Sequence, residues 1–334
     1  MLDRRSFLAS LAATAAAWPS RAAAQGPGVV HTVTGPVPAG DLGMVLMHEH
    51  VLVDFAGADK VSRSRYDAEE VVKVALPHLR QARELGCRTI VESTPAFLGR
   101  NAALLRRLSR ESDVLIVTNT GIYGAGDDRF VPATAHKESA RELAQKWINE
   151  HTRGIDGTDI MPGYMKIGVD PGPLSEIDRK IVEAAAITQK ATGLSIASHT
   201  MDGVAAHQEL DLLEQQGVPL DAFIWVHAHN EKDEAQLKRA AERGAWVEFD
   251  GLAPDSVERH VQLVKIMAEA GHLAKVLVAH DAGWYHVGEA GGGTFRPFDT
   301  VFRSFVPAIR EALGEEVVQT LLVTNPARAL ARRG

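Results

Sequence analysis

The chain has 334 residues, 45% hydrophobic and 24% charged, and a formal net charge of -7. That balance excludes a disordered chain and a collagen-like one. With 36 Lys+Arg against 43 Asp+Glu there is no basic excess to hold a phosphate backbone, which excludes nucleic-acid binding as the main function, and the single cysteine, Cys87, excludes an intramolecular disulfide and a cysteine-based zinc site.

Residues 1–24 read as a targeting segment. Arg4-Arg5 precede Ser6-Phe7-Leu8, an Ala/Leu-rich stretch runs from Leu8 to Trp18, and Ala22-Ala23-Ala24 offers a small-residue cleavage site before Gln25. The paired arginines mark it as a twin-arginine export signal, read by the twin-arginine machinery. The apolar stretch is shorter than the roughly 20 residues needed to span a bilayer. No cysteine follows the cleavage site, so a lipid anchor is not expected. Residues 25–334 are expected to be soluble, without membrane insertion, and periplasmic or secreted.

From Gly43 onward, short apolar runs alternate with stretches of helical period. The runs are Met44–Met47, Thr89–Val91, Val114–Val117, Tyr164–Ile167, Ser195–Ala197, Phe223–Val226, Trp246–Phe249 and Val276–Ala279. They are continuously apolar, as strands buried on both faces of a parallel sheet are. Between them, a helix opens at Asp67 and ends at Gly86. Others run from Ser175 to Gly193, Asp233 to Gly244 and Asp255 to Gly271, each closed by a C-terminal glycine. Pro77 inside the first is expected to kink or break it. Eight strand–helix units without a composition shift predict one (β/α)8 TIM barrel over residues 25–334. A doubly wound open sheet is the competitor, but no G-x-G-x-x-G follows the first strand. Segments 121–133 and 283–297 read as Gly-rich loops over the barrel mouth.

In a barrel, chemistry gathers where the strands end. The first strand ends in His48-Glu49-His50, whose i, i+2 spacing puts both imidazoles on one side. Further ends carry Glu92, His199, His227-Ala228-His229, Asp250 and His280-Asp281, and Lys166 stands within the fourth strand. Imidazole and carboxylate without thiolate suit zinc first, with manganese, cobalt or iron as alternatives. A lone strand-end histidine is ordinarily a hydrogen-bonded core residue; the recurrence over so many ends predicts a metal centre. Burial favours a neutral Lys166, and a neutral amine takes up carbon dioxide to form a carbamate, an anionic oxygen ligand long enough to bridge two ions.

The segments TVTGPVPAGDLGMVLMHEH, YMKIGVD, SHT (198–200), WVHAHNEKDE, VLVAHD and VTNPARAL occur in that order. In these motifs and their spacing the chain, over about residues 30–332, resembles the phosphotriesterase family of the amidohydrolase superfamily. The resemblance implies two divalent metal ions. His48, His50 and Asp281 would hold one, His199 and His227 the other, and carbamylated Lys166 would bridge them. It implies a hydroxide between the ions as nucleophile and Asp281 as the acceptor of its proton. Tyr123, in TGIYG, falls where the family places an aromatic over the centre; lactonase-type members have tyrosine there. His229 reads as a loop residue beside the ligands. The chain departs from the family at Gly251, where arginine or histidine is usual, and at Asn230, where an aspartate relays protons; the adjacent Glu231 offers a substitute carboxylate.

The expected function is hydrolysis of a small-molecule ester, either a phosphotriester or a lactone or carboxylic ester. The competing expectations are a dedicated lactonase with incidental phosphotriesterase activity and a non-catalytic periplasmic binding protein on the same barrel. A homodimer is expected from the resemblance alone.

Overall fold

The computed structural model describes residues 28–331; the export-signal reading of residues 1–24 lies outside the described residues. The chain opens with an antiparallel hairpin, β1 (Val29–Thr32) and β2 (Gly35–Pro38). Ten further strands follow: β3 (Met44–Val53), β4 (Cys87–Glu92), β5 (Leu115–Val117), β6 (Asn119–Thr120), β7 (Tyr164–Gly168), β8 (Ile196–His199), β9 (Phe223–Val226), β10 (Trp246–Phe249), β11 (Val276–Val278) and β12 (Ala282–His286).

These ten pair in parallel throughout, β12-β3-β4-β5 in one run and β6 to β11 in another. One residue separates β5 from β6, and three separate β11 from β12, so each pair is one barrel strand with a break. The two runs therefore join into a ring of eight, a (β/α)8 barrel. Asp281 N donates to His48 O at 2.9 Å across the closing seam.

The main outer helices are α1 (Ala68–Glu84), α2 (Ala102–Ser112), α3 (Ala133–Lys137), α4 (Ala140–Arg153), α5 (Glu176–Thr192), α6 (Gly203–Gln215), α7 (Glu234–Glu242), α8 (Val257–Glu269), α9 (Val306–Leu313), α10 (Glu315–Gln319) and α11 (Asn325–Leu330). Their starts follow the sequence signals. Asp67 accepts from Glu69 N, and Ser175 with Asp178 forms a capping box. Pro77 does not break α1, which runs unbroken through it. Pro77 and Lys73 both face solvent, so the Lys73 carbonyl that the proline leaves without a donor can bond to water.

Two apolar clusters reflect the strand alternation. Val45, Met47, Val91, Tyr164, Ala197, Ile224, Val226, Trp246 and Leu277 fill the barrel interior, which the hairpin residues Val30 and Val37 and the C-terminal Ala329 and Leu330 help to seal. Leu46, Ile90, Met165, Ile167, Ile196, Trp225 and Val247 face the helices.

Segment 283–297 is corrected in its first part. Residues 282–286 are not loop but the strand β12, which closes the barrel against β3. Gly283, at φ +94°, lets the chain approach β3 closely; a Cβ there would come within 1.8 Å of the His50 carbonyl. The glycine that makes the segment look like a loop is what permits the pairing.

Candidate metal centre

On β3, Val45 and Met47 point inward, so strict alternation would send Glu49 inward and His48 outward. A register shift between Leu46 and Glu49 inserts one extra residue against β4. This bulge aims both His48 and His50 into the barrel. Glu49, fully buried, instead ties β3 to the last strand: it accepts from His280 N (3.0 Å), His280 Nδ1 (2.6 Å) and Ala282 N (2.8 Å). His280 Nε2 accepts from Val301 N, so both its ring nitrogens are engaged away from the centre.

Two further ligand candidates sit on left-handed backbone. His227 has φ +65° and Asp281 φ +53°, and each turn delivers its side chain over the interior from just past a strand end. Lys166 and His199 need no such device, because Tyr164 and Ala197, two residues before them, already point inward.

The groups converge closely. His48 Nε2 and His50 Nε2 are 3.3 Å apart, and Lys166 Nζ is 3.5 Å from His48 Nε2. Asp281 Oδ1 lies 3.2 Å from His50 Nε2 and 3.7 Å from His48 Nε2. The His199 and His227 rings meet edge to face at 4.3 Å, and the His48 and His227 rings are 5.1 Å apart. His48, His50 and Asp281 can each offer one donor atom within 4.8 Å of the others, and so can His48, His227 and Asp250.

The hydrogen bonds behind these groups decide what they present. His48 Nδ1 donates to Asp250 Oδ2 at 2.9 Å, and His227 Nδ1 donates to Asp250 Oδ1 at 2.6 Å. Thr94 gives its hydroxyl hydrogen to Leu52 O, so its oxygen accepts from His50 Nδ1 at 2.8 Å. Each Nδ1 is thus occupied; the Nε2 atoms of His48 and His50 face each other and Asp281, and the His227 ring lies 5.1 Å from that of His48. Two imidazole nitrogens and a carboxylate aimed at one another without mutual hydrogens, with a third imidazole beside them, are a set that a divalent cation fits.

Charge agrees. Burial and the neighbouring Lys166 lower the His48 imidazole to about 3, so it stands neutral at ordinary pH. Burial also lowers His199 well below the usual histidine range and Lys166 below the usual lysine range, against the pull of Glu248, Asp250 and Asp281. Burial alone would raise Asp250; His227, His229 and His48 around it outweigh that and hold the carboxylate well down. Asp281 is likewise held below its ordinary value, despite burial, by His48 and His50. Burial drives Glu248 well up, with Asp250 adding to it.

Tyr123 sits where the Gly121–Gly124 backbone is pressed onto β7; a Cβ at Gly121 would come within 2.2 Å of Lys166 O. Its hydroxyl is 3.1 Å from His199 Nδ1. Sequence reasoning noted Asp250 as a strand end without giving it a role; the structure makes it the hub of the centre. It missed Glu248 altogether, 3.2 Å from His48 Nδ1. His229 Nδ1 lies 3.1 Å from Asp250 Oδ1, and its ring fills the space beside Gly251, where a Cβ would come within 2.9 Å of His229 Nε2. Glu231, the carboxylate the sequence offers as a substitute relay, is engaged at the helix starts: its oxygens accept from Gly203 N, Lys232 N and Asp233 N, at the starts of α6 and α7. Asn230 bonds to His227 O.

The sequence model of the Phosphotriesterase family matches residues 28–330. The chain belongs to the phosphotriesterase family. Among its relatives is a phosphotriesterase homology protein of Escherichia coli K12, 27% identical over 291 residues, which cover 86% of this chain and 97% of that one. An aryldialkylphosphatase of Saccharolobus solfataricus is 24% identical over 304 residues, covering 86% and 95%. In three dimensions the phosphotriesterase-family barrel is similar to a resiniferatoxin-binding protein from Rhodobacter sphaeroides, with TM-score 0.76 and 27% identity, covering 91% of this chain and 95% of that one.

Proposed function

We propose that this phosphotriesterase-family protein is an exported hydrolase that cleaves an ester bond, phosphotriester or lactone and carboxylic ester, at a centre of two divalent ions, zinc first among them. The observation that carries the reading is the convergence of His48, His50, Lys166, His227 and Asp281, with three of the imidazoles pinned by their Nδ1 atoms. Bound there, the ions would lower the pKa of water between them and polarise the substrate's carbonyl or phosphoryl oxygen.

The chain's own residues do the rest. His48, His50 and Asp281 would hold one ion, and His199 and His227 the other. Lys166, its amine favoured in the neutral form by burial, would add to carbon dioxide with an N–C bond formed and one proton lost, and the resulting carbamate would supply an anionic oxygen ligand to both ions. Asp250 keeps His48 and His227 in the orientation that ligation needs. Asp281 takes the proton released as the ester is attacked and returns it to the departing oxygen.

The test is metal content and turnover in Lys166→Ala and Lys166→Met on the same preparations. Lys166→Ala should be folded, poor in metal and nearly inactive, with activity partly restored by high acetate, which fills the vacated space. Lys166→Met should not respond. Full metal occupancy in Lys166→Ala would remove the bridging carbamate. The second reading, a binding protein on the same barrel, is favoured by the name of the resiniferatoxin-binding relative. It predicts metal-replete protein without turnover of paraoxon-like triesters, homoserine lactones or simple lactones.

A further inference from the structure

Trp284 stands three residues after Asp281, on β12, at φ +77°. Left-handed backbone disfavours any side chain and suits glycine, so an indole here is held against its own preference. Trp284 belongs to neither apolar cluster and remains partly exposed, with the Arg296 guanidinium 5.6 Å over its ring and the His286 ring 5.8 Å away. It also touches the candidate centre. Its Nε1–H donates to Asp281 O at 2.9 Å, and its ring meets the His50 ring at 4.9 Å, edge to face. Phe55, 36% exposed, lies against it at a tilt, 5.6 Å between ring centres, and reaches Phe130 at 6.1 Å, and Phe130 in turn meets Tyr123. Trp284 and Phe55 thus wall a cavity over His48, His50, Lys166 and Asp281 of about 70 Å³. That is far below the roughly 300–1,000 Å³ of a drug-sized ligand's pocket.

We propose that Trp284 is a specificity-determining residue: its indole, fixed in left-handed backbone by the Asp281 carbonyl, limits the group accepted beside His50 to a compact acyl or phosphoryl substituent. The substrate class rests on the ester-hydrolase reading above; the size limit does not. Backbone strain next to the candidate ligands points to a role for the side chain that bears it. A smaller residue would open the wall towards Phe55.

The experiment uses the metal-loaded full chain and the variants Trp284→Ala, Trp284→Gly and Trp284→Phe. Binding of acetohydroxamic and naphthohydroxamic acids, small and bulky metal-chelating probes, is measured by calorimetry. In wild type the small probe should bind and the bulky one be rejected. Trp284→Ala should tighten the bulky probe at least about 10-fold, the scale on which a pocket discriminates by size, and change the small one by less than about 3-fold. Trp284→Phe, the more conservative change, should shift the same ratio part-way. On esters, p-nitrophenyl benzoate should gain on p-nitrophenyl acetate in kcat/KM by a similar factor. Trp284→Gly should melt no lower than Trp284→Ala, because glycine accepts φ +77° freely. An unchanged probe ratio in all three variants would overturn the proposal, and so would a glycine variant melting well below the alanine one. If the probes discriminate as expected while no ester turns over, the ester-hydrolase reading fails and the size limit stands.

Discussion

His48 Nδ1 donates to Asp250 Oδ2 past the intervening β11–β12 strand, joining residues 202 positions apart in the chain. The other oxygen of Asp250 accepts from His227, so one buried carboxylate sets the orientation of imidazoles from two strands. Asp250→Asn keeps the shape but replaces one acceptor with a donor, which cannot face an Nδ1–H. One of the two imidazoles must then turn its hydrogen towards the centre. Metal affinity should fall by about 10–100-fold, the scale of such supporting contacts, with the melting temperature of the metal-free protein little changed. Competition with a chromogenic chelator measures it.

Asp281 combines a candidate ligand oxygen with the proton acceptor of the proposed reaction. Asp281→Asn should lower kcat by at least about 100-fold on whichever ester the wild type hydrolyses best. Turnover within a few-fold of wild type at equal metal content would remove Asp281 from proton transfer.

Glu209 lies on α6 behind β8, fully buried, its Oε2 accepting from the Thr200 hydroxyl at 2.7 Å. Burial raises its carboxyl to about 8, partly countered by the Ser198 and Thr200 hydroxyls. The unfolded chain loses this proton near the ordinary glutamate value while the folded chain keeps it, so the unfolded state binds fewer protons in that window. Stability is therefore lost as pH rises from about 4.5 to about 8, by an amount on the order of a few kcal/mol. Glu209→Gln should match wild type near pH 4.5 and exceed it at pH 8. Urea unfolding at both pH values reads the crossover; parallel pH dependence in the two proteins would refute it.

Export is testable apart from chemistry. Recognition of a twin-arginine signal needs both guanidinium groups, so Arg4→Lys with Arg5→Lys should retain the protein in the cytoplasm with its activity intact. Fractionation and an activity assay decide it; normal periplasmic appearance of the double variant would end the twin-arginine assignment.

The strand runs were legible because burial on both faces leaves continuous apolar residues, and Lys166 stood out as one charge inside such a run. Glu248 carries the same signal in Trp246–Phe249 but reads as an ordinary strand residue until the fold sets it beside His48. The β1–β2 hairpin was hidden by Pro36 and Pro38, and β12 by Gly283, since both depend on pairing that no local pattern encodes. The His48-x-His50 spacing was plain, but its inward aim depends on a bulge visible only against β4. Hub roles such as that of Asp250 arise from residues distant in sequence, and spacing does not reveal them.

The seam between β3 and β12 brings residues near the start of the barrel against residues near its end. His48 and His50 come from one side of that seam and Asp281 from the other, with Glu49 clasping both. A growing chain on the ribosome thus carries no complete candidate ion pocket until nearly all of it has been made and the two sides of the seam have met. Ion uptake would then report on finished folding: a molecule that holds the full complement is one whose ring has closed.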